Sequence, residues 1–188
     1  MPTDPVYRRV HVGSLRAGAS ALAVPPGRPG RWPAVPADVP AIHRLIRELA
    51  EFERSLDQVS ATQQQLAASL FGPAPAVFAC VADVDGAVAG FAVWFVTYST
   101  WLGSHGMYLE DLYVRPGLRG TGIGRALLAE LAGICVERGY GRLEWSVLDW
   151  NSAAIGFYGA LGATGQDEWT VHRLTGAALH ALAPRRPA

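Results

Sequence analysis

LEDLYVRPGLRGTGIGRALL, residues 109–128, reads as a strand, a tight Gly-rich turn and a helix, in that order. Met107 to Val114 is apolar apart from the acidic pair Glu110-Asp111, and Pro116-Gly117 stops the strand. Gly120, Gly122 and Gly124 then alternate with Thr121 and Ile123. Beyond them Ile123, Leu127 and Leu131 recur at helical spacing, with Leu128 and Cys135 alongside. Alternating glycines clear side chains from a helix start, so several backbone N–H groups can face one anion, and the helix dipole favours negative charge there. Arg119, just ahead of the glycines, supplies a side-chain cation. The stretch is suited to a phosphorylated ligand.

Two familiar phosphate loops do not fit. A dinucleotide turn, G-x-G-x-x-G, would place its third glycine at Arg125 when counted from Gly120. A nucleoside-triphosphate loop needs a lysine, and all 16 basic residues here are arginine. What stands in the sequence is R-x-x-G-x-G, Arg119 to Gly124, directly after a strand with an acidic pair. This resembles the pyrophosphate-binding signature of the GNAT superfamily of N-acetyltransferases, which hold acetyl-CoA at that turn.

The 188 residues suggest one domain, and 50% of them are hydrophobic, enough to fill a core. Net charge is zero, with neither a basic stripe nor interleaved arginine and aromatic residues, which argues against nucleic acid as a partner. Cys80 and Cys135 sit singly in apolar segments, which fits a reducing, cytoplasmic setting rather than a disulfide framework. The five histidines have no ligand spacing, so no metal is expected. No apolar run reaches the roughly 18 residues of a membrane span.

Residues 1–31, punctuated by Pro25-Pro26-Gly27 and Pro29-Gly30, read as a flexible N-terminal extension, and residues 32–188 as a single domain. Its prolines and glycines weaken any strand near Arg31-Trp32. Asp38 is a candidate N-cap for a helix that presents Ile42, Leu45, Ile46 and Leu49 on one face and ends near Phe52-Glu53. A second helix runs from Thr62 to Leu70. Val77 to Val84 and Val88 to Tyr98 read as strands joined at Asp85-Gly86, a strong hairpin signal. After the central segment, Arg138-Gly139 ends its helix, Leu143 to Val147 forms a fifth strand, and Asn151 caps a helix over Ser152 to Leu161. Trp169 to Leu174 is expected as a last strand before a polar tail. This order of elements predicts an α/β fold, a mixed, mostly antiparallel sheet with helices on both faces. It is the order of the GNAT (acyl-CoA N-acyltransferase) fold.

LIRELAEFE (Leu45 to Glu53), YSTWLG (Tyr98 to Gly103) and VLDWNSAAIGFYGALGA (Val147 to Ala163) narrow the resemblance. They are similar to the diamine acetyltransferase family, to its thialysine N-acetyltransferase branch more than to its spermidine/spermine branch. The likeness runs from about Ala34 to Leu174. It implies transfer of acetyl from acetyl-CoA to a primary amine of a small molecule, by a cytoplasmic homodimer. An enzyme of the same fold acting on a protein N-terminus or lysine, or a catalytically silent acyl-CoA-binding module, are the competing readings.

Acetyl transfer from a thioester needs a neutral amine, a stabilised oxyanion and a proton for the departing thiolate. Tyr158 follows Asn151 by about two helical turns, on one stripe of a helix. On spacing alone Asn151 is as much an ordinary cap as a ligand, and Tyr158 as much a core aromatic as an acid. The resemblance makes Tyr158 the general acid. It also implies that acetyl-CoA is held by the turn residues Arg119, Gly120, Thr121, Gly122, Ile123, Gly124 and Arg125, with Asn151, Ala153 and Tyr158. The backbone of Leu112, Tyr113 and Val114 would pair with the pantetheine arm as an added strand does, with the Leu112 N–H as oxyanion donor.

Glu110 alternates with Leu112 and Val114 if no bulge intervenes, and a carboxylate mid-strand is costly unless it serves a partner. The resemblance makes it the substrate-binding residue that accepts the amine's proton through water, with Asp111 on the opposite side of the strand. Glu53, Trp101, Asp111 and Trp169 complete the amine-binding set, since carboxylates and indole faces suit an ammonium ion. Ser99 stands where the polyamine branch has an aspartate, which favours a shorter substrate with one amine.

Overall fold

In the computed structural model, which describes residues 30–184, Asp85 and Gly86 both take positive φ, 54° and 80°. These angles make the two-residue turn whose twist matches the strands it joins. The Asp83 carboxylate accepts from the Gly86 N–H at 2.8 Å. This turn closes β2 (Phe78–Val84) against β3 (Ala87–Ser99), and β3 pairs in turn with β4 (Ser104–Val114). The described residues form two compact units, one ending at Trp145 and one beginning at Ser146.

In the first unit, β1 (Gly30–Pro33) and β5 (Leu143–Glu144) complete a five-stranded sheet in the order β1-β2-β3-β4-β5. Only β5 runs parallel to its neighbour. β1 corrects the doubt over Arg31-Trp32: it is an edge strand, where a terminal proline leaves no ladder gap. The N-terminal extension expected over 1–31 otherwise lies outside the described residues. β5 is shorter than expected and pairs only at Met107 and Tyr108.

α1 (Val39–Phe52) and α2 (Gln63–Phe71) cover one face of the sheet. Thr62 and Gln65 exchange the reciprocal bonds of a capping box at the start of α2. Ile42, Leu45 and Leu70 pack there with Val81, Phe91, Val93 and Tyr113. Each such fully buried aliphatic side chain contributes about 1.5–3 kcal/mol. α3 (Ile123–Arg138) lies on the other face, where Cys135 Sγ is 4.0 Å from Met107 Sδ and Arg138 lies over Trp94. Its helical repeat Ile123, Leu127, Leu128, Leu131, Cys135 is buried throughout, as its sequence predicts.

β4 breaks its own period. Val93 pairs with Asp111 but Trp94 pairs with Leu109, which leaves Glu110 as the extra residue of a bulge. Strand partners share a face, so Asp111 and Tyr113 lie with Val93 and Phe91 on the α1 side. Leu109 and Met107 lie on the α3 side. The expected alternation of Glu110 with Leu112 and Val114 therefore fails at the bulge.

The second unit holds α4 (Ser152–Gly159) and α5 (Gly176–Leu182). Asn151 caps α4, accepting from the Ala154 N–H at 3.2 Å. The strand expected at Trp169–Leu174 is absent, and a helix follows where a tail was expected. Among the described residues this unit offers no strand for that segment to pair with, and a lone strand leaves its backbone groups unpaired. Among the described residues no helix is long and apolar enough to cross a membrane.

Candidate active site

The turn between β4 and α3 is built as a backbone surface. Gly120 and Gly122 hold φ of 77° and 94°, which other residues adopt only under strain, and nothing lies within 4 Å of where a Cβ would stand. Thr121 Oγ1 donates to the Leu118 carbonyl at 2.7 Å, and Arg119 N to Pro116 O at 3.2 Å, so the turn is braced from within. Gly122 caps α3 with no side-chain bond, while its carbonyl accepts from Ala126 N at 2.9 Å. The N–H groups of Ile123, Gly124 and Arg125 open the helix and have no intrahelical acceptor. Ile123 is 1% exposed and anchors this end against β3 at Gly90. A Cβ at Gly90 would fall 3.3 Å from Ile123 Cγ2 and 2.8 Å from the Tyr113 carbonyl, so glycine is what admits both.

That contact also orients the strand. The Tyr113 carbonyl faces β3, so alternation turns the backbone groups of Leu112 and Val114 to the opposite edge of β4. β5 has left that edge after Tyr108, and no strand among the described residues covers Leu109–Val114. The ladder is open there to strand pairing, with the Leu112 N–H among its donors. Tyr113 corrects the expectation for the three residues together: its backbone serves β3 and its ring is buried in the core.

Arg119 departs from its expected role as a cation aimed at phosphate. Its Nε donates to the Val114 carbonyl at 3.0 Å, and its guanidinium lies over the Phe52 and Tyr113 rings at 4.8 and 5.4 Å. Arg125 is exposed on the first turn of α3.

At the bulge the first unit gathers carboxylates. Asp111, half-buried on the α1 side, is pushed up to about 6 by burial first, then by the charges of Glu110 and Glu53. Burial also raises Glu53, the residue that ends α1. Glu110 is exposed. A site with this much negative charge, partly withdrawn from water, suits an ammonium ion. Asp111, expected on the opposite side from Glu110 and named only among the amine's contacts, is the carboxylate here that burial shifts strongly. The available signal was its position in an apolar strand. The ion pair of Glu48 with Arg115 at 3.5 Å, which ties α1 to the end of β4, had no sequence signal.

Trp101 stands 87% exposed in the turn between β3 and β4. That turn is held by Ser99, whose buried Oγ accepts from Leu102 N at 3.2 Å and whose carbonyl accepts from Gly103 N at 2.8 Å. Ser99 is thus first a turn residue. In the second unit, Asn151 spends its side-chain oxygen on the cap, Ala153 is exposed, and Tyr158 is half-buried with its ring 5.3 Å from that of Phe157. Trp169 in the same unit is 68% exposed.

Residues 40–163 match the acetyltransferase (GNAT) family. The chain is 40% identical to the thialysine N-epsilon-acetyltransferase of Bos taurus over 153 residues, 76% of this chain and 89% of that protein. It is 34% identical to the L-ornithine N5-acetyltransferase of Arabidopsis thaliana, over 79% and 85% of the respective chains. Among solved structures, an integron cassette protein from the mobile metagenome of V. cholerae superposes with a TM-score of 0.69 at 27% identity, over 82% of this chain and 97% of that one.

Proposed function

The chain belongs to the acetyltransferase (GNAT) family, and from that premise we propose that it transfers acetyl from acetyl-CoA to the terminal amine of a small, lysine-like molecule. One observation carries this reading. The strand that ends at the Gly-rich turn also bears, one bulge earlier, the half-buried carboxylate Asp111 next to Glu110, within reach of the charge of Glu53 at the end of α1. An anion-seeking turn and an ammonium-seeking cluster on one strand fit a phosphorylated donor and an amine acceptor. Relatives named for thialysine and ornithine support an amino-acid-like amine.

In this mechanism the donor's phosphates meet the amides at the start of α3, with Arg125 beside them, and its pantetheine arm adds to the open edge of β4. Glu53 and Asp111 receive the ammonium. Asp111, whose pKa burial raises to about 6, draws off a proton, which exposed Glu110 passes to water. The freed amine attacks the thioester carbonyl and the Leu112 N–H stabilises the oxyanion. The C–S bond then breaks and Tyr158 protonates the departing thiolate. The family resemblance assigns Trp101 and Trp169 to the acceptor, since indole faces suit an ammonium ion. We place the enzyme in the cytoplasm, where its two buried free cysteines stay reduced, and as a homodimer, as the resembled family is.

Thiol release measured over lysine analogues, diamines, polyamines and short peptides tests the proposal. Lysine-like amines are expected to lead in kcat/KM. A tenfold preference for spermidine, about 1.4 kcal/mol, contradicts the acceptor class, and a preference for peptides contradicts the small-molecule reading. Tyr158→Phe is expected to lower kcat on the order of 10²–10⁴-fold with acetyl-CoA affinity little changed. A rate within about threefold of wild type, with chemistry rate-limiting, removes Tyr158 from the mechanism.

A further inference from the structure

We propose that Arg119 acts as a positioning residue, holding the Gly-rich turn in its anion-ready shape from behind, and does not itself ligate phosphate. This rests on the donor reading given above. The guanidinium is committed on several sides. Its Nε donates to the Val114 carbonyl at 3.0 Å, and its plane lies over the rings of Phe52, at 4.8 Å, and Tyr113, at 5.4 Å. The Tyr113 hydroxyl also lies within reach of the charges of Glu48 and Arg119, and Glu48 pairs with Arg115 at 3.5 Å. Tyr113 is 5% exposed, so this ring is a fixed platform. Arg119 is exposed, but swinging its guanidinium off this seat would surrender the carbonyl bond and both ring contacts, whereas the amides at the start of α3 are free of intrahelical acceptors without any rearrangement. The clamp also reaches beyond the turn. Phe52 is the last residue of α1 and is followed by Glu53, so the acceptor's helix helps to set the donor's turn.

Phe52 provides the test, because in this account it shapes donor binding only through Arg119. Acetyl-CoA affinity is measured by calorimetry at two ionic strengths for wild type, Phe52→Leu, Arg119→Gln and the double variant. Phe52→Leu is expected to weaken binding about 3–10-fold, the scale of a cation–π contact. Arg119→Gln weakens it further, and adding Phe52→Leu to Arg119→Gln changes nothing more. The salt dependence of affinity is the same in all four, since no phosphate contact has been removed. With saturating acetyl-CoA, kcat of Phe52→Leu stays within about twofold of wild type, so its loss appears in KM. Thermal unfolding confirms each fold, and Phe52→Met repeats the test with a second side chain. A shallower salt dependence in Arg119→Gln, additive losses, or wild-type affinity in Phe52→Leu would each overturn the clamp while leaving the donor intact. Failure of the wild-type chain to bind acetyl-CoA would overturn both.

Discussion

At its bulge β4 sets Glu110 and Asp111 beside each other with Glu53 of α1 in electrostatic reach, while at its far end the same strand gives way to a turn whose polar groups are backbone amides. The two ends hold charge by opposite means. The bulge carries its charge permanently, in side chains that burial and mutual repulsion disfavour, and Asp111 shows the result at about 6. The turn carries only partial charges, aligned by α3, and needs glycine where φ reaches 77° and 94°. One end is strained until a cation relieves it. The other is at rest until an anion arrives. In the proposed mechanism, the strand that joins them presents two ligands of opposite charge on a single element.

The comparison is broken most severely at the turn. Gly122→Val puts a β-branched side chain at a φ of 94°, in the space the anion would occupy. Acetyl-CoA affinity is expected to fall at least about 100-fold, some 2.7 kcal/mol, in a protein that still unfolds cooperatively. Calorimetric affinity equal to wild type in such a folded variant would mean that the turn is not the anion site. The bulge answers differently. Asp111→Asn keeps the shape and removes the charge, so kcat/KM for the amine is expected to drop on the order of 10–100-fold while acetyl-CoA affinity stays as it was. Loss of donor affinity in that variant would show that the two ends are not separable.

A smaller effect sharpens the contrast. The folded protein raises Asp111 from 3.8 to about 6, so between those values it binds more protons than the unfolded chain. Stability is therefore fully present below pH 4, falls as pH rises through about 6, and the loss is at most about 3 kcal/mol. Asp111→Asn should unfold at a higher temperature than wild type at pH 8 and not at pH 4. Equal melting temperatures at pH 8 would show that the carboxylate is not held at a cost.

The same difference explains what could be read from the sequence. The turn announces itself because positive φ selects glycine, and Gly120 and Gly122 stand where the backbone takes it. Asp85-Gly86 gives away its hairpin for the same reason, and α3 is legible because Ile123, Leu127 and Leu131 repeat toward the core. The bulge has no such residue signature. Glu110, Leu112 and Val114 read as one alternation unless a bulge intervenes, and only pairing with β3 reveals that Glu110 is extra and that Asp111 turns to the α1 side. The commitment of Arg119 was hidden likewise, since Phe52 and Tyr113 are far apart in sequence and meet only once α1 has packed. Ser99, read from the sequence for the charge it lacks, has a second part that the sequence did not show, since its hydroxyl accepts from the Leu102 N–H of a tight turn. At Trp169–Leu174 local β-propensity misled, because a strand also needs a partner.

The most direct test is the pH dependence of kcat/KM for the best amine, in wild type and Asp111→Asn, with acetyl-CoA saturating. If β4 sets a perturbed carboxylate against the acceptor, wild-type kcat/KM should rise tenfold per pH unit below a pKa of about 6 and level off above it. Asp111→Asn should lose that limb and stay low and flat across the same range. An acidic limb near 6 that survives in Asp111→Asn, or a wild-type profile with no limb between pH 5 and 7, would contradict the account.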